Sequence, residues 1–101
     1  MRKIINGKMY NTDTAKMIYM HTNGLLPNDL NNLTEVLYRK KTDEFFVHGW
    51  GGAKTKYREQ CYDGWCGGEE IVPLTEAEAK EWLERYGDVN TYIDTFGEPE
   101  E

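Results

Sequence analysis

The last third of the chain carries the signal that most restricts the fold, a capped helix with one apolar face. Thr75 and Glu78 have the spacing of a capping box, and Gly87 stands where such a helix would end. Within 76–86, apolar residues recur at the i, i+3, i+4, i+7 spacing of a single helix face: Ala79, Trp82, Leu83 and Tyr86. Because a one-sided helix must pack on another layer, the rest of the chain has to supply that layer.

A second, shorter helix is predicted directly after the first. Asp88 is suited to cap it and Gly97 to follow it. Its apolar positions repeat the same spacing: Val89, Tyr92, Ile93 and Phe96. On the outer face of the first helix, the i, i+4 spacing predicts two ion pairs, Glu76 with Lys80 and Glu81 with Arg85.

Short β-rich segments separated by turn residues precede the helices. Asn6-Gly7 suits a type I′ turn, so 3–5 and 8–10 are predicted to form a hairpin. Alternation in 15–22 favours a strand, although Thr12 or Thr14 could equally cap a short helix over 15–20. A second hairpin is expected from 35–39 and 45–48, and the segment 25–33 between these strands is expected to be a loop.

The stretch between the second hairpin and the helices is rich in glycine. We expect 49–52 to interrupt the strand pattern, 54–57 to resume a strand, and 61–68 to be a Gly- and Trp-rich loop. Segment 70–74 is predicted as a last short strand, and Pro73 places it at a sheet edge. The 101 residues suffice for one domain, 1–101. The predicted class is therefore α+β, a small antiparallel β-sheet followed by two C-terminal helices packed on it.

Cysteine content and hydropathy indicate a cytoplasmic location. No apolar run approaches the roughly 18 residues that a membrane span needs, and the basic start of the chain is not followed by the apolar region of a secretory signal. The chain has two cysteines and lacks the dense cysteine framework of disulfide-rich secreted proteins, which favours a reducing compartment.

A metal site is not expected, although its ligand types are present. Cys61, Cys66, His48 and His21 are the full inventory of sulfur and imidazole groups, and the histidines are too far apart in sequence for a typical zinc pattern. Free thiols are favoured at Cys61 and Cys66, with a disulfide inside the loop as the alternative. We also expect no enzyme activity and no cofactor, because no Cys–His arrangement is ordered by sequence and the carboxylates have the spacing of solvated helix faces.

Charge is distributed unevenly along the chain. Residues 1–68 contain 10 Lys/Arg and 7 Asp/Glu, whereas 69–101 contain 2 Lys/Arg and 11 Asp/Glu. The second part should therefore attract a basic surface and repel a nucleic-acid backbone. A contrasting feature is the alternation of Lys54, Lys56 and Arg58 near Tyr57, which would project basic groups from one strand face and could contact phosphates and bases.

Four segments give the chain a family resemblance. Residues 6–15, 37–39, 46–52 and 71–76 read NGKMYNTDTA, LYR, FVHGWGG and IVPLTE. They resemble small proteins carried by mobile elements and phages of Gram-positive bacteria, a set that includes anti-CRISPR inhibitors of type II effector nucleases. The resemblance covers nearly all of the chain and implies no catalytic residue.

The leading hypothesis combines this resemblance with the acidic surface. An anti-CRISPR-type inhibitor would bind a type II effector nuclease, with or without its guide RNA, and block target DNA loading by presenting carboxylates where phosphates would lie. The predicted partner-binding residues are Glu69, Glu70, Glu76, Glu81, Glu84, Asp88, Asp94 and Trp65. The alternative is a nucleic-acid-binding accessory protein of a mobile element that uses Lys54, Lys56, Arg58 and Tyr57.

Overall fold

The computed structural model describes residues 1–101 and contains eight strands followed by two helices. The first hairpin and the four-stranded sheet together use six strands: β1 Arg2–Ile5, β2 Lys8–Asn11, β3 Lys16–Thr22, β4 Leu33–Arg39, β5 Phe45–Gly51 and β8 Gly68–Leu74. A small second hairpin and the helices complete the fold: β6 Glu59–Cys61, β7 Gly64–Cys66, α1 Glu76–Tyr86 and α2 Val89–Phe96. The predicted α+β class, with a small antiparallel sheet and two C-terminal helices, is confirmed.

The main sheet is antiparallel and has the strand order β3-β4-β5-β8. Its first strand is Lys16–Thr22, so the strand alternative for this region holds and the short-helix alternative is wrong. Strand β8 lies at the other edge, where Pro73 pairs opposite Phe46, as its missing N–H predicts. The preceding β1–β2 hairpin turns at Asn6 and Gly7, whose φ angles of 52° and 79° are the positive values that a type I′ turn requires.

Three predictions for the glycine-rich stretch are wrong. Strand β5 continues through Gly49 and Gly51, because ladder bonds use only backbone groups and both neighbouring strands stay in register there. Segment 54–57 is a pair of turns, closed by bonds from Thr55 N–H to the Gly52 carbonyl and from Arg58 N–H to the Thr55 carbonyl. Segment 61–68 is not a loop, since it contributes to the β6–β7 hairpin and to the start of β8.

Both helices match their predicted bounds. The capping box is complete: Glu78 N–H donates to Thr75 Oγ1 at 3.1 Å, and Thr75 N–H donates to Glu78 Oε1 at 2.9 Å. Asp88 caps α2 by accepting the Thr91 N–H at 2.7 Å. The predicted stripe of α2 is only partly correct, because Val89 is 72 % exposed. Neither helix has the length and apolar character needed to cross a membrane.

Two apolar clusters lie on opposite faces of the main sheet, because successive side chains of a strand point to opposite sides. On the face that carries the helices, buried side chains of β4, β5 and α1 form the larger cluster: Leu37, Phe45, Val47, Ala79, Trp82 and Leu83. On the other face, Tyr10 of the first hairpin packs with Phe46 and Ile71. The hairpin therefore covers part of the second face and leaves its far end open.

Candidate functional site

The helix layer, defined as residues 76–96, presents an acidic surface. It contains six Asp or Glu and two Lys or Arg, and all six carboxylates are exposed. Backbone hydrogen bonds, from the Thr75 N–H to Glu78 and from the Thr91 N–H to Asp88, lower the pKa values of these two carboxyl groups, so both stay ionised well below neutral pH.

Neither basic residue of the helix layer neutralises these carboxylates through an ion pair. The chain has five ion pairs, and none involves a residue after Glu69. The predicted pairs Glu76–Lys80 and Glu81–Arg85 are therefore wrong. Lys80 Nζ instead lies 5.3 Å from the ring centroid of Phe96, and Arg85 Cζ lies 6.0 Å from that of Tyr86. Both cations lie over aromatic rings, as long basic side chains do when their aliphatic stems cover apolar surface.

The predicted partner-binding residues do not form one surface. Five of them belong to the helix layer: Glu76, Glu81, Glu84, Asp88 and Asp94. Glu70 lies on the same face of the sheet as the helices, at the register position opposite Gly49. Glu69 points to the opposite face, where His48 Nε2–H donates to Glu69 Oε2 at 2.8 Å. Trp65 lies on the β6–β7 hairpin and belongs with Glu69 rather than with the helices.

Glu69 and Trp65 line an open cleft of about 990 Å³ at the uncovered end of the sheet. Its walls are the connection between β3 and β4, the end of β5, the β6–β7 hairpin and the start of β8. Two glycines that line the cleft leave no room for a side chain: a Cβ on Gly67 would lie 2.7 Å from the Gly51 carbonyl oxygen, and one on Gly52 would lie 2.5 Å from the Leu30 carbonyl oxygen. Trp50 also lines the cleft, and its ring centroid lies 4.9 Å from that of His48.

The β6–β7 hairpin that forms one wall is crosslinked. Cys61 and Cys66 form a disulfide, with their Cα atoms 6.0 Å apart, inside the usual range for this bond. The expectation of free thiols is therefore wrong and the disulfide alternative holds, because the hairpin register, which the sequence reading missed, brings the two cysteines together. No group of three or more His, Cys, Asp or Glu side chains is arranged to hold a metal ion. The ring of His21 stacks on that of Tyr86, with the ring centroids 4.3 Å apart.

The basic residues of the alternative hypothesis do not form a strand face. Lys56 Nζ lies 2.9 Å from Glu35 Oε2, and Arg58 Cζ lies 4.1 Å from the ring centroid of Trp65. Tyr57 is only 4 % exposed, so it is not free to stack on a base. Only Lys54 remains exposed without an ion pair or a ring contact. The predicted strand face is wrong because these residues occupy the turns between β5 and β6 and project in different directions.

Sequence reasoning also missed a buried carboxylate beside the helix layer. Glu35 is 3 % exposed, and its Oε2 accepts hydrogen bonds from the Tyr57 hydroxyl and from Lys56. Burial opposes ionisation and is the largest single influence, but these two donors outweigh it, so the pKa of Glu35 lies below its ordinary value. Burial, followed by the bond to Glu35, raises the pKa of the Tyr57 phenol.

One signal in the sequence could have located this group. Glu35 shares the strand parity of Leu37, so a two-residue alternation places it on the helix side with the core. Gly49, opposite Glu35 in the register, has no side chain, and a Cβ there would overlap the Tyr57 ring. The missing side chain lets the ring lie over the strand and reach Glu35.

No protein-family model, curated protein or solved structure matches this chain at a significant level.

Proposed function

We propose that this protein is an inhibitor that binds a type II CRISPR effector nuclease through its helix layer and blocks the loading of target DNA. The observation that supports it best is the set of six exposed carboxylates in the helix layer, five on the helices and Asp88 at the start of α2, that no ion pair neutralises. A basic channel that holds nucleic acid is the surface such a group complements. The choice of an RNA-guided nuclease as partner follows from the family resemblance of the four sequence segments.

The mechanism needs binding and no chemistry. Carboxylates fixed on two capped helices occupy positions that a flexible chain would not hold, so less side-chain and backbone freedom is lost on association. Their charge would speed the encounter with a basic channel and then compete with DNA phosphates for the same Lys and Arg groups. No cofactor is required. The protein would act in the bacterial cytoplasm, where the nuclease works, and the Cys61–Cys66 bond would be exposed to reduction there.

The nucleic-acid-binding alternative receives no comparable support. Lys56 is bound to a buried carboxylate, Arg58 to an indole ring, and Tyr57 is buried. The surviving positive charge is too dispersed for the row of phosphate contacts that sequence-independent binding uses.

A pair of charge-reversal variants tests the proposal. Glu81→Lys with Glu84→Lys changes the helix layer, whereas Asp13→Lys with Asp63→Lys changes net charge equally at two exposed sites outside it. Inhibition of DNA cleavage by a guide-loaded type II effector is measured across a salt series, with circular dichroism as the folding control. We expect the first variant to lose at least about tenfold in inhibitory potency and the second to stay within about threefold.

Three results would count against it. Equal loss in both variants would show that net charge matters and the helix layer does not. Absence of inhibition and of complex formation by the unmodified protein, tested with several type II effectors, would remove the proposed partner. Inhibition that does not weaken as salt rises would exclude an electrostatic mechanism, since exposed charges are screened beyond about 8–10 Å at physiological ionic strength.

A further inference from the structure

The cleft on the face opposite the helix layer has a composition that selects one kind of ligand. Sixteen residues line it; three of them carry carboxylates, Asp29, Glu59 and Glu69, and none is Lys or Arg. Two of the three tryptophans of the chain, Trp50 and Trp65, also line it. Indole faces and carboxylates together attract a cation that has both a flat surface and several N–H donors.

The chain already shows what the Trp65 ring binds. The guanidinium of Arg58 lies 4.1 Å from its centroid. Trp65 lines the cleft, whereas Arg58 does not. Trp65 is 54 % exposed, so the contact with Arg58 leaves part of this residue open to solvent.

Glu69 is placed to bind such a group. The His48 N–H donates to one of its oxygens, and this bond restrains the carboxylate at the cleft. The other oxygen, Oε1, makes no hydrogen bond within the chain, and the side chain is 53 % exposed. A carboxylate held by one donor and open at its second oxygen can accept the N–H groups of an arriving cation.

We propose that this cleft binds the guanidinium of an arginine side chain presented by a protein partner. The indole rings would stack on the planar group, and Glu69 would accept its N–H donors. An arginine fits better than a lysine because a guanidinium is flat, weakly hydrated and forked, whereas an ammonium is a compact, strongly hydrated charge. The cleft shares no residue with the helix layer, so this assignment is tested separately from the proposed inhibition.

A titration with short peptides tests the assignment. The probes are a Gly-Arg-Gly-Arg-Gly peptide and two matched peptides with lysine or with neutral citrulline in place of arginine. Binding is followed by nuclear magnetic resonance at physiological ionic strength through the three indole N–H signals. The arginine peptide should move the signals of Trp50 and Trp65 and leave that of Trp82, which lies in the helix-side core, in place.

Variants of the cleft should lose affinity for the arginine peptide by amounts that can be estimated. Trp65→Ala should weaken binding about 3- to 30-fold, Trp65→Phe should recover part of the loss, and Glu69→Gln should weaken binding several-fold. The helix-layer variant Glu81→Lys with Glu84→Lys should leave the shifts at Trp50 and Trp65 unchanged. Circular dichroism checks the fold of each variant, and Glu69→Gln keeps the test valid if Trp65→Ala disturbs the hairpin.

Several results would overturn the assignment. Equal binding of the citrulline peptide would exclude a charge-dependent site, and equal binding of the lysine peptide would exclude selection for a guanidinium. Undiminished binding by both Trp65→Ala and Glu69→Gln would place the peptide elsewhere. A shift of the Trp82 signal alone would show that the helix layer captures the peptide.

Discussion

The two faces of the β3-β4-β5-β8 sheet are covered in different ways. On the helix side, α1 and α2 close over the sheet and bury Leu37, Val47 and Trp82 together. On the other side, the β1–β2 hairpin covers the end near Phe46, while the end near Trp50 stays open as a cleft. The first face thus provides most of the buried apolar area, and the second provides an accessible, shaped surface.

This difference separates stability from recognition within a small domain. Apolar burial is the main favourable term in folding, so the closed face should dominate the free energy of unfolding. Surfaces that bind are exposed by necessity and contribute less. Removing the same type of side chain from each face should therefore lower the free energy of unfolding more on the closed face than on the open one.

The largest expected effect comes from removing an indole on the closed face. Trp82 is 9 % exposed and makes edge contacts with Tyr19 and Tyr86, so Trp82→Ala should cost about 3–5 kcal/mol of unfolding free energy. The matched change Trp65→Ala, at an exposed indole, should cost less than about 1 kcal/mol. Urea denaturation followed by far-ultraviolet circular dichroism measures both. Similar losses in the two variants would contradict the division between the faces.

A medium effect is expected at the buried carboxylate. Tyr57→Phe removes the hydroxyl that donates to Glu35 and should destabilise the fold by about 1–3 kcal/mol. Tyr62→Phe is the matched control, since Tyr62 is fully exposed, and it should change stability by less than about 0.5 kcal/mol. An unchanged urea midpoint in Tyr57→Phe would show that the bond to Glu35 contributes nothing.

The pH dependence of this difference follows from the lowered pKa of Glu35. A carboxyl group whose pKa is lower in the folded than in the unfolded state stabilises the fold above its ordinary value of 4.5, and that contribution is lost as pH falls through the folded pKa. Tyr57→Phe removes one of the donors that lower it. The gap between the parent and the variant should therefore be widest near neutral pH and should narrow below about pH 4.5.

A smaller and more local effect is expected from the disulfide. Cys61→Ser with Cys66→Ser opens a short loop, for which the chain-entropy relation gives at most about 2 kcal/mol. No residue of β6 or β7 is buried, so the loss of stability should be confined to this hairpin and the main unfolding transition should remain cooperative. Thermal melting with and without reductant measures the effect, and the variant itself should not respond to reductant. Two titratable thiols in the folded, unreduced parent would show that the bond does not form.

The sequence predicted the features that depend on neighbours along the chain. The helices were found because the capping box at Thr75 and Glu78 and the apolar spacing are written within single turns. The first hairpin was found because its turn type depends on Asn6 and Gly7 alone. Both signals are short in range and need no knowledge of the tertiary fold.

The features that failed depend on contacts between distant segments. Continuation of β5 through Gly49 depends on pairing with β4 and β8, and the glycine itself makes room for Tyr57, eight positions later. Burial of Glu35 depends on donors 21 and 22 positions away, Lys56 and Tyr57. The predicted partner-binding residues lie on two faces of the sheet for the same reason. Glu69 and Glu70 are adjacent in sequence, but successive side chains of a strand point to opposite faces.

The smallest expected effect concerns the hairpin that covers part of the open face. Lys8 Nζ on β2 lies 2.9 Å from Glu44 Oε2 in the turn before β5, and both groups are solvent-accessible. The bond from Lys8 lowers the pKa of Glu44 to about 2, so the stabilisation it provides should be present above about pH 4.5 and should disappear as pH falls toward about 2. Solvent screens such a pair, so Glu44→Gln should shift the urea midpoint only slightly at neutral pH and should flatten its decline between these two pH values. Glu98→Gln, which removes an exposed carboxylate outside every ion pair, is the control and should keep the decline of the parent. If the two variants follow the same pH profile, Lys8 does not hold the hairpin against the sheet, and the apolar contacts of Tyr10 with Phe46 alone keep that end of the face covered.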